Sequence, residues 1–154
     1  MSEGAGAAAN PPLPARRVVL DTNVLVSLWI FSDSRYAPLR AALEDGRWQA
    51  LANDATLAEF ARVLNYPQFA VAPERQQQAL AAYARLAEPV ATAAERPPLP
   101  RCKDKDDQKF LELACDGVAD WLVSADRALL VLARRQKLAH LFRILTPDAA
   151  LALL

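Results

Sequence analysis

The chain is poor in the residues that serve several common chemistries. It has four glycines in 154 residues, and none forms the Gly-rich loop that cradles a nucleotide phosphate, which argues against a dinucleotide or P-loop fold. Two cysteines, Cys102 and Cys115, stand thirteen positions apart with no second cysteine beside either. That is no disulfide framework, and with one histidine, His140, it makes a poor zinc set. The lone histidine also rules out a two-histidine acid–base pair, and His140 reads as structural. Ser27 and Ser124 have no neighbouring base, so a serine nucleophile is unsupported. No run approaches the roughly 18 apolar residues of a membrane span. The N-terminus, MSEGAGAAANPPLPA, lacks the basic start and apolar segment of a secretory signal. These absences give an expected cytoplasmic, reduced location. Charge of one sign is missing too. Eighteen basic and eighteen acidic residues cancel, without the basic excess usual in nucleic-acid-binding domains. Carboxylates loaded with divalent cations would turn the same chain net positive.

What is present is apolar. At 53% hydrophobic and 23% charged, the chain can bury the core of one ordinary domain. Residues 1–15, with five Ala, two Gly and three Pro, read as a flexible tail, and the folded domain is expected over 16–154. RVVLD reads as a buried strand and NVLVSLWIF as a helix apolar almost all round. SRYAPLRAALEDGRW predicts a helix closed by Gly46, and WQALAN a strand. Asp54 is the expected N-cap of ATLAEFARVLNY, which Pro67 ends. PERQQQALAAYARLAE predicts a helix opened by Pro73, PVATA a short strand, and ERPPLPRCKDK a loop. DDQKFLELACDG (helix to Gly117), ADWLVSAD (strand), RALLVLARRQK (helix) and HLFRIL (strand) precede TPDAALALL. Strands alternating with helices indicate a parallel sheet flanked by helices.

Ligands of such sheets bind beyond the carboxyl ends of the strands. Asp21 interrupts an apolar run at the end of the first strand, and Asp126 follows the strand WLVS, so two strands deliver an aspartate to one edge. In DDQKFLELAC the inward stripe is Phe110, Leu111 and Ala114. Asp107, three and four positions before it, is centred on that stripe, while Lys109 and Glu112 point away. In TLAEFARVL the core stripe is Leu57, Phe60, Ala61 and Leu64. Glu59 sits on its shoulder beside Val63, and Arg62 on the open side.

Each acid also has a purely structural reading. Asp21 and Asp126 suit helix N-caps, Asp104 and Asp107 a capping box, and Glu59 a solvated helix position. The joint arrangement favours chemistry. Carboxylates about 4 Å apart repel by roughly 4 kcal/mol even at an effective dielectric of 20, so a gathered set must take up protons or cations. Oxygen-only ligands suit Mg²⁺ or Mn²⁺, and metal-activated water is then the best-supported nucleophile for phosphodiester hydrolysis.

VVLDTNVLVS, LAEFARVL, CKDKDDQKFLELA, ADWLVSADRALL and RILTPDAAL, in that order, resemble the PIN-domain family of metal-dependent nucleases, and most of all its bacterial toxins of toxin–antitoxin pairs. The resemblance spans Arg16 to the C-terminus. It implies a three-layer α/β/α sandwich with a central, mainly parallel sheet of Rossmann-like topology. It makes Asp21, Glu59, Asp107 and Asp126 the catalytic, metal-binding acids, Asp104 a secondary metal ligand, and Asn23 and Ser124 supporting residues. It further implies cleavage of single-stranded RNA with Mg²⁺ or Mn²⁺, a homodimer, and a cognate antitoxin protein. Arg101, Lys103, Lys105 and Arg127 flank the acids and are the expected RNA contacts, equally readable as ordinary surface charges. Trp29, Trp48 and Trp121 read as core. Lys105 stands where many relatives have proline, and the N-terminal tail is extra. The alternatives are an RNA-processing or structure-specific DNA nuclease of the same fold, or a non-catalytic binding module.

Overall fold

The computed structural model describes residues 14–154. Of the expected tail, residues 1–13 lie outside the described residues. Five strands form one sheet in the order β3-β2-β1-β4-β5, and all four pairings are parallel. The strands are β1 (Arg16–Leu20), β2 (Trp48–Ala52), β3 (Ala87–Pro89), β4 (Trp121–Val123) and β5 (Arg143–Leu145). The helices are α1 (Thr22–Trp29), α2 (Ala37–Glu44), α3 (Asp54–Leu64), α4 (Pro73–Leu86), α5 (Gln108–Asp116), α6 (Arg127–Leu130) and α7 (Pro147–Ala152).

The strands are apolar on consecutive residues because both faces of the sheet are covered. Val18 and Leu20 of β1, Ala50 and Ala52 of β2, and Trp121 and Val123 of β4 face one core, closed by α1, α2, α3, α4 and α7. Val19, Leu51 and Leu122 face a second core, built on Phe110, Leu111, Leu113 and Ala114 of α5 and Leu129 of α6. This is the expected α/β/α sandwich. All three tryptophans are core: Trp29, Trp48 and Trp121 are buried, and Trp48 meets Trp121 edge to face at 5.8 Å. No helix among the described residues is long and apolar enough to cross a membrane.

Several boundaries differ from the sequence expectation. Asn53, not Asp54, caps α3: its side chain accepts from the Thr56 N–H while the Thr56 hydroxyl accepts from the Asn53 N–H. Asp54 becomes the first helical residue, where the helix dipole favours its charge. The strand expected in PVATA lies earlier, at Ala87–Pro89, because Ala87 is at once the extended C-cap of α4 and the first strand residue. The helix expected over RALLVLARRQK shortens to α6, followed by turns and a 3-10 segment at Gln136–Leu138. Leu129 and Leu132 of that stretch, and Leu138 just after it, are buried in the second core, with Arg134 and Arg135 left exposed between them. Ser34–Tyr36 is a 3-10 turn before α2, and Lys105–Asp107 is another before α5. Gly46, at φ +86°, makes the left-handed turn between α2 and β2.

Candidate metal and nuclease site

Strands β2 and β3 lie to one side of β1, and β4 and β5 to the other. The carboxyl ends of β1 and β4 therefore flank the point where the strand order reverses, the usual ligand crevice of an open parallel sheet. Asp21 follows β1 directly, and Ser124 and Asp126 follow β4. The acids line a cleft of about 280 Å³ together with Thr22, Asn23, Arg62, Tyr66 and Phe69.

Asp21 is 4% exposed. One oxygen accepts from the Val24 N–H at 3.1 Å, capping α1, and the other accepts a short hydrogen bond from the Ser124 hydroxyl. Ser124, itself fully buried, accepts in turn from the Asp126 N–H at 2.9 Å. One hydroxyl thus ties both acids to the sheet edge. Asp126 accepts from the Ala128 N–H at 2.9 Å, capping α6. The cap and site readings are compatible, because a cap occupies one carboxylate oxygen: the second of Asp126 stays available, and the second of Asp21 accepts from Ser124. Burial pushes the Asp21 carboxyl up to about 6 against the pull of its two hydrogen bonds, and the charges of Asp126 and Glu59 raise it further.

Asp107 sits at the end of the 3-10 turn, half-buried, facing Asp126 closely enough to share a proton. Burial is the main reason its carboxyl is pushed up to about 7, followed by Asp126, Asp104 and Asp21. Its Oδ2 is buried without a hydrogen-bond partner among the described residues. Asp104, exposed, caps that turn by accepting from the Asp106 N–H at 2.9 Å, which replaces the expected capping box. Carboxylate oxygens of Asp104, Asp107 and Asp126 come within 4.8 Å of one another. Asp104, ranked below the other four in sequence, is a full member of this tightest group.

Glu59 lies on the opposite wall, its side chain 12% exposed. The buried face of α3 runs through Thr56, Phe60, Val63 and Leu64, with Leu57 and Ala61 only half-buried. The helix is rotated from the expected stripe, which carries Glu59 further inward. It accepts from the Thr22 hydroxyl, pairs with the Lys109 ammonium at 2.5 Å, and lies 3.6 Å from Arg62. Lys109 was expected to point away from the core. Its four-carbon stem instead carries the ammonium past the Phe110 ring to Glu59, so the Cβ direction does not decide where the charge ends. Thr22 and Lys109 are the polar partners that sequence spacing missed. The cue for Thr22 was its place beside Asp21 in the break of the apolar run.

The remaining expected residues are placed as follows. Asn23 is exposed on the cleft wall. Arg101, Lys103, Lys105 and Arg127 are all exposed and none lines the cleft, where Arg62 is the sole basic lining residue among those described. His140 is exposed among residues at the amino ends of the strands, away from the acids.

Three converging carboxylates, one carrying a buried oxygen without a donor, fit a hard divalent cation. An all-oxygen donor set suits Mg²⁺ or Mn²⁺. Fold and cleft together define an α/β protein with an acidic site at the switch point of a parallel sheet. Residues 17–128 match the family model of the PIN domain, and the chain belongs to that family, whose members are generally metal-dependent nucleases. No curated protein and no solved structure gives a significant match to the chain.

Proposed function

We propose that the protein is a divalent-metal-dependent endoribonuclease cutting single-stranded RNA, the toxin of a bacterial toxin–antitoxin pair, acting in the cytoplasm as a homodimer held in check by a cognate antitoxin. The observation that carries the nuclease reading is the buried, unpartnered oxygen of Asp107 beside Asp104 and Asp126. The toxin reading is supported by the five ordered segments that resemble that branch of the family.

In this reading Asp104, Asp107 and Asp126 hold Mg²⁺ or Mn²⁺, with Asp21 and Glu59 completing the acidic cleft. The cation would supply an acidified water and would offset the charge that develops on the scissile phosphate. The chain's own groups prepare the site. Ser124 fixes the Asp21 carboxylate and the Asp126 backbone, and the Ala128 N–H holds the Asp126 carboxylate, so neither carboxylate must be ordered during the reaction. Burial and the neighbouring Asp126 push the Asp107 carboxyl up to about 7, so near neutral pH Asp107 must give up a proton before it can ligate. Thr22 and Lys109 fix the Glu59 carboxylate in place at the cleft. In the same reading Asn23, exposed on the cleft wall, hydrogen-bonds substrate, and the exposed Arg101, Lys103, Lys105 and Arg127 meet phosphates outside the cleft.

Purified protein should cut single-stranded RNA with Mn²⁺ and stop on addition of EDTA, and Asp107→Asn should abolish cutting without lowering the melting temperature. Absence of cleavage on every single-stranded RNA tried would refute the enzyme. Expression should arrest bacterial growth, and co-expression of a small protein from the adjacent gene should relieve it. Growth unaffected by the active enzyme would refute the toxin.

A further inference from the structure

The cleft poses a problem of affinity. Six acids, Asp21, Glu59, Asp104, Asp106, Asp107 and Asp126, line it against Arg62, with the Lys109 ammonium offsetting Glu59, and the chain as a whole is neutral. Long-range attraction for a polyanion is therefore weak, and contacts other than charge are needed beside the cation and the outlying basic residues to hold a nucleic acid over the acids.

The same wall carries aromatic rings that the proposed chemistry does not use. Tyr66 and Phe69 line the cleft beside the acids, just beyond the end of α3. Their planes differ by 12° with centroids 6.2 Å apart, an offset stack that leaves part of each face uncovered. Phe31, just past the end of α1 and beside the cleft lining, packs edge-on against Phe69 at 5.7 Å and 70°. Phe31 is 59% exposed and Tyr66 38% exposed, so burial of these rings in the fold is incomplete. Pro67 at the first position of the 3-10 turn Pro67–Phe69 presets its backbone, and Ala70 closes it in the left-handed conformation, so Tyr66 and Phe69 sit on a short stiff turn.

We propose that Tyr66, Phe69 and Phe31 form a base-stacking platform that holds single-stranded nucleic acid with its sugar–phosphate chain over the acids. The proposal rests on the nuclease reading for the identity of the polymer. Planar faces accept any base, so the platform confers a preference for unpaired strands and little sequence preference, and its contribution is insensitive to salt where phosphate contacts are not. Base–aromatic stacking of about 1–3 kcal/mol per base corresponds to roughly 5- to 150-fold in affinity.

The test uses fluorescence anisotropy of a labelled single-stranded oligoadenylate, and of an abasic sugar–phosphate oligomer of equal length, on full-length Asp21→Asn protein in Mg²⁺. Adding Tyr66→Leu or Phe31→Leu should weaken oligoadenylate binding about tenfold at both low and high salt and leave the abasic oligomer unaffected. Both rings are substantially exposed, so these variants should fold, as near-unchanged thermal melts would verify. Equal loss for both oligomers, no loss for either, or no saturable oligoadenylate binding would overturn the platform. So would a dimer of the parent protein that Tyr66→Leu dissociates, which would make the rings a self-association surface. Ring-dependent binding by a wild-type protein that cuts nothing in Mn²⁺ would keep the platform and remove the nuclease.

Discussion

Replacing Asp21 by Asn should make the metal-free protein more stable above neutral pH while destroying its proposed activity. The wild-type carboxyl is raised from 3.8 to about 6, mainly by burial. A displacement of about two units, at 1.36 kcal/mol each, means the ionised form costs the fold about 3 kcal/mol. Asn removes that cost at nearly the same volume. It has one acceptor oxygen where Asp21 uses two, so either the Val24 N–H or the Ser124 hydroxyl loses its partner, at about 1 kcal/mol. The net gain is on the order of 1–2 kcal/mol, or roughly 2–8 °C in melting temperature. The sign of the pH dependence follows from the direction of the shift. A folded-state pKa raised above its unfolded value gives stability that is fully present below about pH 4 and lost as pH rises through about 6. The wild type should therefore lose stability over that window, and Asp21→Asn should lose less. Asp107, also raised, contributes to the fall in both proteins and largely cancels in the difference. Urea unfolding in EDTA at intervals between pH 4 and pH 8 measures the effect. A variant less stable than wild type at pH 8, or a difference that does not change with pH, would refute the reasoning that burial of an ionised Asp21 opposes folding.

Three further expectations follow from the cleft and its surroundings. Millimolar Mg²⁺ or Mn²⁺ should raise the melting temperature of the wild type by mass action, and Asp104→Asn or Asp126→Asn should shrink the rise; no change in the wild type would remove the cation from this site. Lys109→Met leaves the largely buried Glu59 with Thr22 and the more distant Arg62, and should cost about 1–3 kcal/mol in chemical unfolding, with Lys109→Arg recovering part of the loss; a neutral Met variant would show that the ion pair is idle. Val118 holds a left-handed conformation at φ +52° while 74% exposed, so Val118→Gly or Val118→Asn relieves strain without losing packing and should stabilise by about 1 kcal/mol in the same assay.

The linear sequence by itself determined the architecture and the edge of the sheet at which the acids gather. Short apolar runs rich in β-branched residues, alternating with helical segments, suit strands covered on both faces, and the carboxylates at Asp21 and after WLVS then emerge where the strands end. Spacing before the Phe110, Leu111 and Ala114 stripe likewise put Asp107 on the inward side, although it lies in the 3-10 turn ahead of α5. Tertiary structure alone decided the rest. The bond from Ser124 to Asp21 joins residues 103 positions apart, and no local pattern encodes such a pairing. The phase of α3, and with it the depth of Glu59, was set by how Phe60 and Val63 pack. The reach of Lys109 was set by a flexible stem finding a buried charge. Asp104 joined Asp107 and Asp126 because a 3-10 turn, not the expected α-helical one, opens α5 and changes the angle between successive side chains. The contact of Phe69 with Phe31 depends on two chain segments meeting beside the cleft. Periodicity reports which face of an element turns inward, but distances between elements depend on packing across the whole core, and the chemistry of this site is set by those distances.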